Sequence, residues 1–165
     1  MGNIVLQFCA FDSAVAKVIQ WGTQGSVGHV DIVLPSGELL GAQHEAGLGG
    51  KPAGVAVRPA DYGKTSGMVN PVRVSLPCDD SVTKAAYEWA LGKVGAPYDT
   101  RAIEGIALGE DWSSEGHFIC SGLAAGMLTQ PAPAFFEFPL ARHWRIITPE
   151  QFLLVCSVFS NVVPA

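Results

Sequence analysis

The order of hydrophobic patterns predicts an α+β fold, an antiparallel sheet packed against helices. Strand-like apolar segments crowd the first half of the chain, helical spacing takes over from about residue 80, and Pro35-Ser36-Gly37 joins two apolar runs as a tight turn would. At 165 residues and 48% hydrophobic content, the chain fits one domain, residues 1–165, with core enough for two layers. It holds no internal repeat, linker or low-complexity tail.

Each element has its own signal. Residues 3 to 9 read as a strand, and Asp12 can cap a short helix through Trp21 with Val15, Val18 and Ile19 on one face. Strands follow near residues 28 to 34 and 38 to 43 as a hairpin. The Gly-rich stretch from Gly41 to Gly54 reads as a flexible loop before strands at Val55 to Arg58 and Val69 to Leu76. Next comes a helix from Ser81 to Val94, with Asp80 as cap, an apolar face of Val82, Ala85, Ala86, Trp89 and Ala90, and Gly95 as its stop. A further helix follows Tyr98, and Gly109 to Gly116 is polar loop. Cys120 opens a run in which Leu123, Ala124, Met127 and Leu128 recur at helical spacing. Thr148-Pro149-Glu150-Gln151 supplies a cap, a first-turn proline and a glutamine three residues past the cap, so a last helix starts there.

A formal charge of −5 argues against a nucleic-acid partner. The one basic cluster, Arg142-His143-Trp144-Arg145, reads as a strand with solvated flanks. The start lacks a positive n-region, the stretch from Phe152 to Val163 is too short and interrupted to span a bilayer, and Met-Gly is not followed by a myristoylation motif. These features predict a protein that is cytoplasmic as made, with no signal peptide and no transmembrane segment.

The four cysteines, Cys9, Cys78, Cys120 and Cys156, have no C-x-x-C pair and no regular spacing, which disfavours a disulfide scaffold or zinc knuckle. Cys9 and Cys156 lie in apolar runs and read as core. Cys78 stands beside Asp79 and Asp80, whose charge blunts its reactivity. Cys120 differs, because an extended approach, His117-Phe118-Ile119, delivers it to a helix N-terminus. There, free amides and the macrodipole favour a thiolate and could hold an oxyanion.

Gly95-Ala96-Pro97-Tyr98 followed by Phe118-Ile119-Cys120-Ser121-Gly122-Leu123 resembles the nucleophile region of NlpC-like cysteine peptidases, a papain-like branch that cleaves amide bonds of bacterial cell-wall peptides. Ser26-Val27-Gly28-His29-Val30-Asp31-Ile32-Val33-Leu34 resembles the histidine strand of the circularly permuted members, the YaeF/YiiX type, and more distantly the lecithin retinol acyltransferase-like enzymes. The order His29 then Cys120 fits that branch, whereas His143 is the only histidine after Cys120. The resemblance implies a permuted papain-like core, a Cys120 nucleophile, a His29 base and no cofactor. It covers about Asn3 to Leu128.

Strand alternation puts His29, Asp31 and Val33 on one face and Val30, Ile32 and Leu34 on the other, so His29 is on the more polar side. A third group should accept the other ring N–H. A three-residue loop pairs Leu34 with Glu38 and places Gln43 across from His29, which makes Gln43 the first choice; a two-residue loop would place His44 there, with Glu45 close by. In the acyltransferase-like relatives this residue falls about where Gly41 stands. Tyr98 matches the family's G-x-P-Y tyrosine, which implies a substrate-lining or oxyanion-assisting group. His117 reads as surface.

Four functions remain open. The first is a cysteine amidase or peptidase acting on short peptides or peptidoglycan stems, in a bacterium or its phage, delivered to the cell envelope or carried in a phage particle. The second is a lipid acyl hydrolase or acyltransferase, for which Phe135, Phe136 and Phe138 would form the acyl pocket. The third is a structural protein that keeps the fold without activity. The fourth is a metal hydrolase using His29, Asp31 and His44, whose spacing matches no established zinc motif.

Overall fold

Aliphatic residues at every second position of the first strand give the sheet a continuous apolar face on which helices can pack. The computed structural model describes residues 2–11, 25–65, 67–136 and 144–164. Strands β1 (Gly2–Phe11), β2 (His29–Val33), β3 (Leu39–Gln43), β4 (Gly54–Arg58), β5 (Met68–Cys78) and β6 (Asn161–Pro164) form one sheet in the order β4-β3-β2-β1-β5-β6. All five pairings are antiparallel. With the helices α1 (Tyr62–Thr65), α2 (Asp80–Leu91), α3 (Thr100–Leu108), α4 (Cys120–Thr129) and α5 (Pro149–Val158), this is an α+β fold.

The main core lies between one sheet face and the helices. Ile4, Leu6, Phe8, Val30, Ile32, Leu34, Leu40, Val74 and Leu76 meet Leu123, Ala124, Met127 and Phe152 there. Helix α4 is its centre, buried from Cys120 to Leu128, against β2 and β3 and between α2 and α5. A helix so enclosed needs small residues where neighbours cross it closely. A Cβ at Gly126 would come within 2.9 Å of the Trp144 ring, which packs edge-on against Trp89. The opposite sheet face carries a smaller cluster of Cys9, Phe11, Val33, Leu39 and Tyr62.

The β2–β3 hairpin takes the three-residue loop, the one of the two alternatives that pairs Leu34 with Glu38. Leu34 N–H bonds the Glu38 carbonyl at 2.8 Å, Gly37 N–H bonds the Leu34 carbonyl at 2.8 Å, and Gly37 has φ 88°, a left-handed value suited to glycine. Thr148 and Gln151 form the predicted capping box, with Pro149 at the start of α5. The Glu150 carboxylate in that first turn accepts from the Ser26 and Val27 amides at 2.8 and 3.1 Å, anchoring the segment that leads into β2.

Several expectations need correction. The helix predicted over 81 to 94 runs Asp80–Leu91, flanked by Asp79, and its C-terminal turn ends at Gly95, φ 91°. Cap position shifts by one because Asp79 is the extended residue, φ −73° and ψ 152°. The Gly41 to Gly54 stretch is not a slack loop: it holds the end of β3, a 3-10 turn at Leu48–Gly50, and anchors to the Arg58 guanidinium. Trp144 to Ile146 form a turn instead of a strand. Strand β6 and the short α1 carry weak patterns and were not anticipated. The predicted helix from Asp12 to Trp21, with Arg142, His143 and Phe138, lies outside the described residues. No helix among the described residues is long and apolar enough to cross a membrane.

Candidate thiol–imidazole active site

Two of the motifs meet through the backbone. Tyr98 and Phe118 form a parallel bridge, with Phe118 N–H bonding the Pro97 carbonyl and Asp99 N–H bonding the Phe118 carbonyl, each at 3.1 Å. Ala96 accepts from Val55 N–H on β4 at 2.8 Å. The G-A-P-Y segment thereby ties the sheet to the extended approach of Cys120. Ile119 is the N-cap of α4 in extended conformation, φ −85° and ψ 163°, and Cys120 is the first helical residue. The first intrahelical bond is from Leu123 N–H to the Ile119 carbonyl, so the Cys120 amide lies in the unpaired first turn.

Strand β2 supplies the base. It pairs with β1 along its whole length, from Val5–Val33 to Cys9–His29, but with β3 only at Ile32–Leu40 and Val33–Leu39. Alternation aims the Leu34, Ile32 and Val30 amides toward β3, and where the strands part, Val30 N–H needs another acceptor. The Cys120 sulfur lies near enough for this amide to favour its thiolate. The same sulfur is within electrostatic reach of the His29 ring, and each group shifts the pKa of the other. The thiol from the helical layer and the imidazole from the opposite sheet face thus meet at the open end of the hairpin. Both are buried, Cys120 3% and His29 5% exposed, and Phe11 packs edge-on against the imidazole at 5.2 Å.

The other ring nitrogen decides the third member. His29 Nε2 lies 2.9 Å from Asp31 Oδ1 and 3.0 Å from Gln43 Nε2, so the hairpin register does bring Gln43 to the histidine. Their chemistry separates the two neighbours. Tyr62 donates its hydroxyl proton to Asp31 Oδ2 at 2.6 Å, and its oxygen then accepts from Gln43 Nε2 at 2.7 Å. That fixes the amide with its nitrogen toward the ring. A nitrogen bearing protons cannot accept from Nε2–H, whereas the carboxylate can. The acceptor is therefore Asp31, and Gln43, the first choice from sequence, braces the assembly through Tyr62. With Nε2 protonated by this partnership, Nδ1 is the nitrogen left for the Cys120 thiol.

Gly41 explains how a carboxylate from the same strand fits. A Cβ on Gly41 would overlap Asp31 Oδ1 and sit 3.7 Å from His29 Nε2. Position 41, from which the acyltransferase-like pattern would send a polar side chain, is instead emptied to admit Asp31. The signal was present in the sequence: residues i and i+2 of a strand share a face, so the His29-x-Asp31 spacing alone offered a carboxylate beside the ring. Tyr62 carried no comparable signal, since it comes from a four-residue helix after β4.

The electrostatics follow from this packing. For His29, burial alone would lower the pKa; the Asp31 charge, then Cys120, and hydrogen bonds to both overcome it and push the value up to about 10. For Cys120, burial opposes the thiolate, but the His29 charge, the His29 hydrogen bond and the Val30 amide together hold its pKa below the ordinary thiol value. Cys9, on the strand next to His29, and Cys156 are driven upward chiefly by burial and stay protonated. Cys78 is half-buried, with its sulfur 3.1 Å from Thr83 Oγ1. Burial, then the charges of Cys120 and Asp99, also raises Tyr98, which keeps its phenolic proton within electrostatic reach of the sulfur.

Beyond this group, His44 is exposed and meets the Tyr98 ring edge-on at 5.5 Å, Glu45 is exposed, and His117 is exposed with Nδ1 3.0 Å from the Glu115 carbonyl. His44 does not join His29 and Asp31, and among the described residues no group of three or more His, Cys, Asp or Glu side chains could hold a metal ion. Phe135 and Phe136 pack on each other, and their amides bond the Leu128 carbonyl. Leu128 is about 12 Å along α4 from Cys120, so this aromatic pair lies at the wrong end of the helix to line the thiol. No protein-family model matches the chain, and no curated protein matches it significantly.

Proposed function

We propose that this protein is a thiol-dependent hydrolase, a cysteine amidase or peptidase cleaving amide bonds of short peptides or peptidoglycan stems through Cys120 and His29. The observation that carries the reading is that Cys120, His29 and Asp31 form one buried group, with Asp31 Oδ1 2.9 Å from His29 Nε2, in which the thiol pKa is held down and the imidazole pKa is held up. Opposite shifts on adjacent groups are what a thiolate–imidazolium pair requires. The amide and cell-wall preference rests on the resemblance of the G-A-P-Y, F-I-C-S-G-L and S-V-G-H-V-D-I-V segments to permuted NlpC-like peptidases.

In this mechanism the Cys120 thiolate attacks the carbonyl carbon and the carbonyl electrons move to oxygen. The Cys120 amide in the first turn of α4 and the Tyr98 phenol are the candidate donors for that oxyanion. Collapse of the intermediate breaks the C–N bond as His29 Nδ1–H gives its proton to the departing amine, leaving a thioester. Water then attacks the thioester, His29 takes its proton, and the acid departs with regeneration of the pair. Asp31 accepts the Nε2 proton in a hydrogen bond and holds the ring in its productive tautomer.

Action on a cell wall requires that the protein reach the envelope. The test is turnover of a short peptide amide and of a soluble peptidoglycan fragment by wild type and Cys120→Ala. Cleavage by the wild type alone supports the reading. Equal behaviour of the two proteins on every amide and acyl-ester substrate refutes it, and ester turnover without amide turnover transfers the assignment to a lipid acyl hydrolase.

A further inference from the structure

Behind Asp31 stands a second layer that the proposed chemistry does not touch. Tyr62 is 2% exposed, donates to Asp31 Oδ2 at 2.6 Å and accepts from Gln43 Nε2 at 2.7 Å. The Arg58 guanidinium lies 5.9 Å from the Tyr62 ring centre and is fully buried without a carboxylate in direct contact among the described residues. Instead it donates to the carbonyls of Gly41, Leu48, Pro52, Gly54 and Ala56 at 3.0 to 3.4 Å. Gly41 is the residue whose missing side chain makes room for Asp31, so Arg58 holds the wall of the carboxylate's slot and Tyr62 holds the carboxylate in it.

We infer that Tyr62 is a positioning residue for the active site: its hydroxyl fixes the Asp31 carboxylate so that Oδ1 faces His29 Nε2, and Arg58 supplies the buried positive charge that accompanies this anion. The inference rests on the thiol–imidazole reading of the site and adds a residue to it. A buried carboxylate has two oxygens to satisfy. Here one serves the imidazole and the other the tyrosine, and any turn of the carboxylate short of exchanging the two oxygens breaks both bonds. Loss of the phenol frees the carboxylate to turn and leaves Gln43 without the hydroxyl that orients it. The charge count agrees. A thiolate, an imidazolium, a carboxylate and a guanidinium sum to zero, and Tyr62 is the neutral bridge between the last two.

A purely structural tyrosine would act on stability and leave the thiol alone. The experiment therefore measures the rate of Cys120 alkylation by iodoacetamide between pH 4 and 10 in wild type, Tyr62→Phe, Asp31→Asn and the double variant, with a thermal unfolding midpoint for each. The expected result is that Tyr62→Phe and Asp31→Asn each move the half-reactive pH of Cys120 upward by about one unit, which makes labelling about tenfold slower at any pH well below the wild-type midpoint. The double variant is expected to match Asp31→Asn, because Tyr62 acts through that carboxylate. An unshifted profile in Tyr62→Phe overturns the inference, as does a further additive shift in the double variant, even if every midpoint falls. A wild-type profile like that of an ordinary thiol overturns the underlying reading instead, and Asp31→Asn separates the two, since it shifts whenever the thiol is activated.

Discussion

Asp31 and Gly41 form a matched pair in which a carboxylate needs space and a glycine gives it. Gly41→Ala is expected to destabilise the protein by about 1–3 kcal/mol, measured by chemical denaturation, and to slow any amide turnover. Asp31→Asn keeps the volume but removes the charge that supports the imidazolium, and on the proposed function amide turnover should fall on the order of 10²-fold, with the alkaline limb of the pH–rate profile moving down from about 10. Residue identity was partly legible in the sequence. Cys120 stood out because a helix start follows an extended run, and His29 because its strand face is polar. The acceptor was missed because cross-strand pairing drew attention to Gln43, while two residues along the same strand lie on the same face. Nothing local marks Tyr62, whose contact with Asp31 spans 31 positions and depends on where the chain returns after β4.

The β2–β3 hairpin shows what element-level patterns can carry. Its composition allowed a two-residue or a three-residue loop, and the three-residue loop it adopts sets the register that brings Gln43 to the imidazole. What the pattern could not give was the parting of the two strands beyond Ile32, since that depends on α4 arriving to take the Val30 amide. The Gly-rich segment misled for a related reason: its own composition reads as slack, and the residue that orders it, Arg58, lies on the next strand. Arg58→Met should cost about 3 kcal/mol by leaving several buried carbonyls unpaired, and should raise protease sensitivity between Gln43 and Gly54. Thr148→Ala removes one half of the capping box on α5 and should cost about 1 kcal/mol in the same denaturation assay.

At the scale of the whole molecule, the α+β architecture followed from segment order and apolar period, because strands in the first half and helices in the second leave few ways to bury both. The terminal strand β6 escaped notice since it is four residues long and pairs with β5 almost ninety positions upstream. The site couples to the global equilibrium through protons. Because the folded His29 pKa stands above its ordinary value, its stabilising contribution is complete below about 6.5 and disappears as pH rises through about 10. Cys120, shifted the other way, contributes above the ordinary thiol value and loses that contribution as pH falls through its depressed one. His29→Gln should thus cost more stability at pH 6 than at pH 10.5, as read from denaturant midpoints.

The central claim is a thiolate held by an imidazolium, and the ultraviolet absorbance of the thiolate near 240 nm reports it directly. The difference spectrum between wild type and Cys120→Ala, recorded from pH 4 to pH 10, should show one thiolate forming below the ordinary thiol range, and that early rise should be lost in His29→Gln. A difference that rises only near the ordinary thiol pKa, or one unchanged by His29→Gln, would contradict the account.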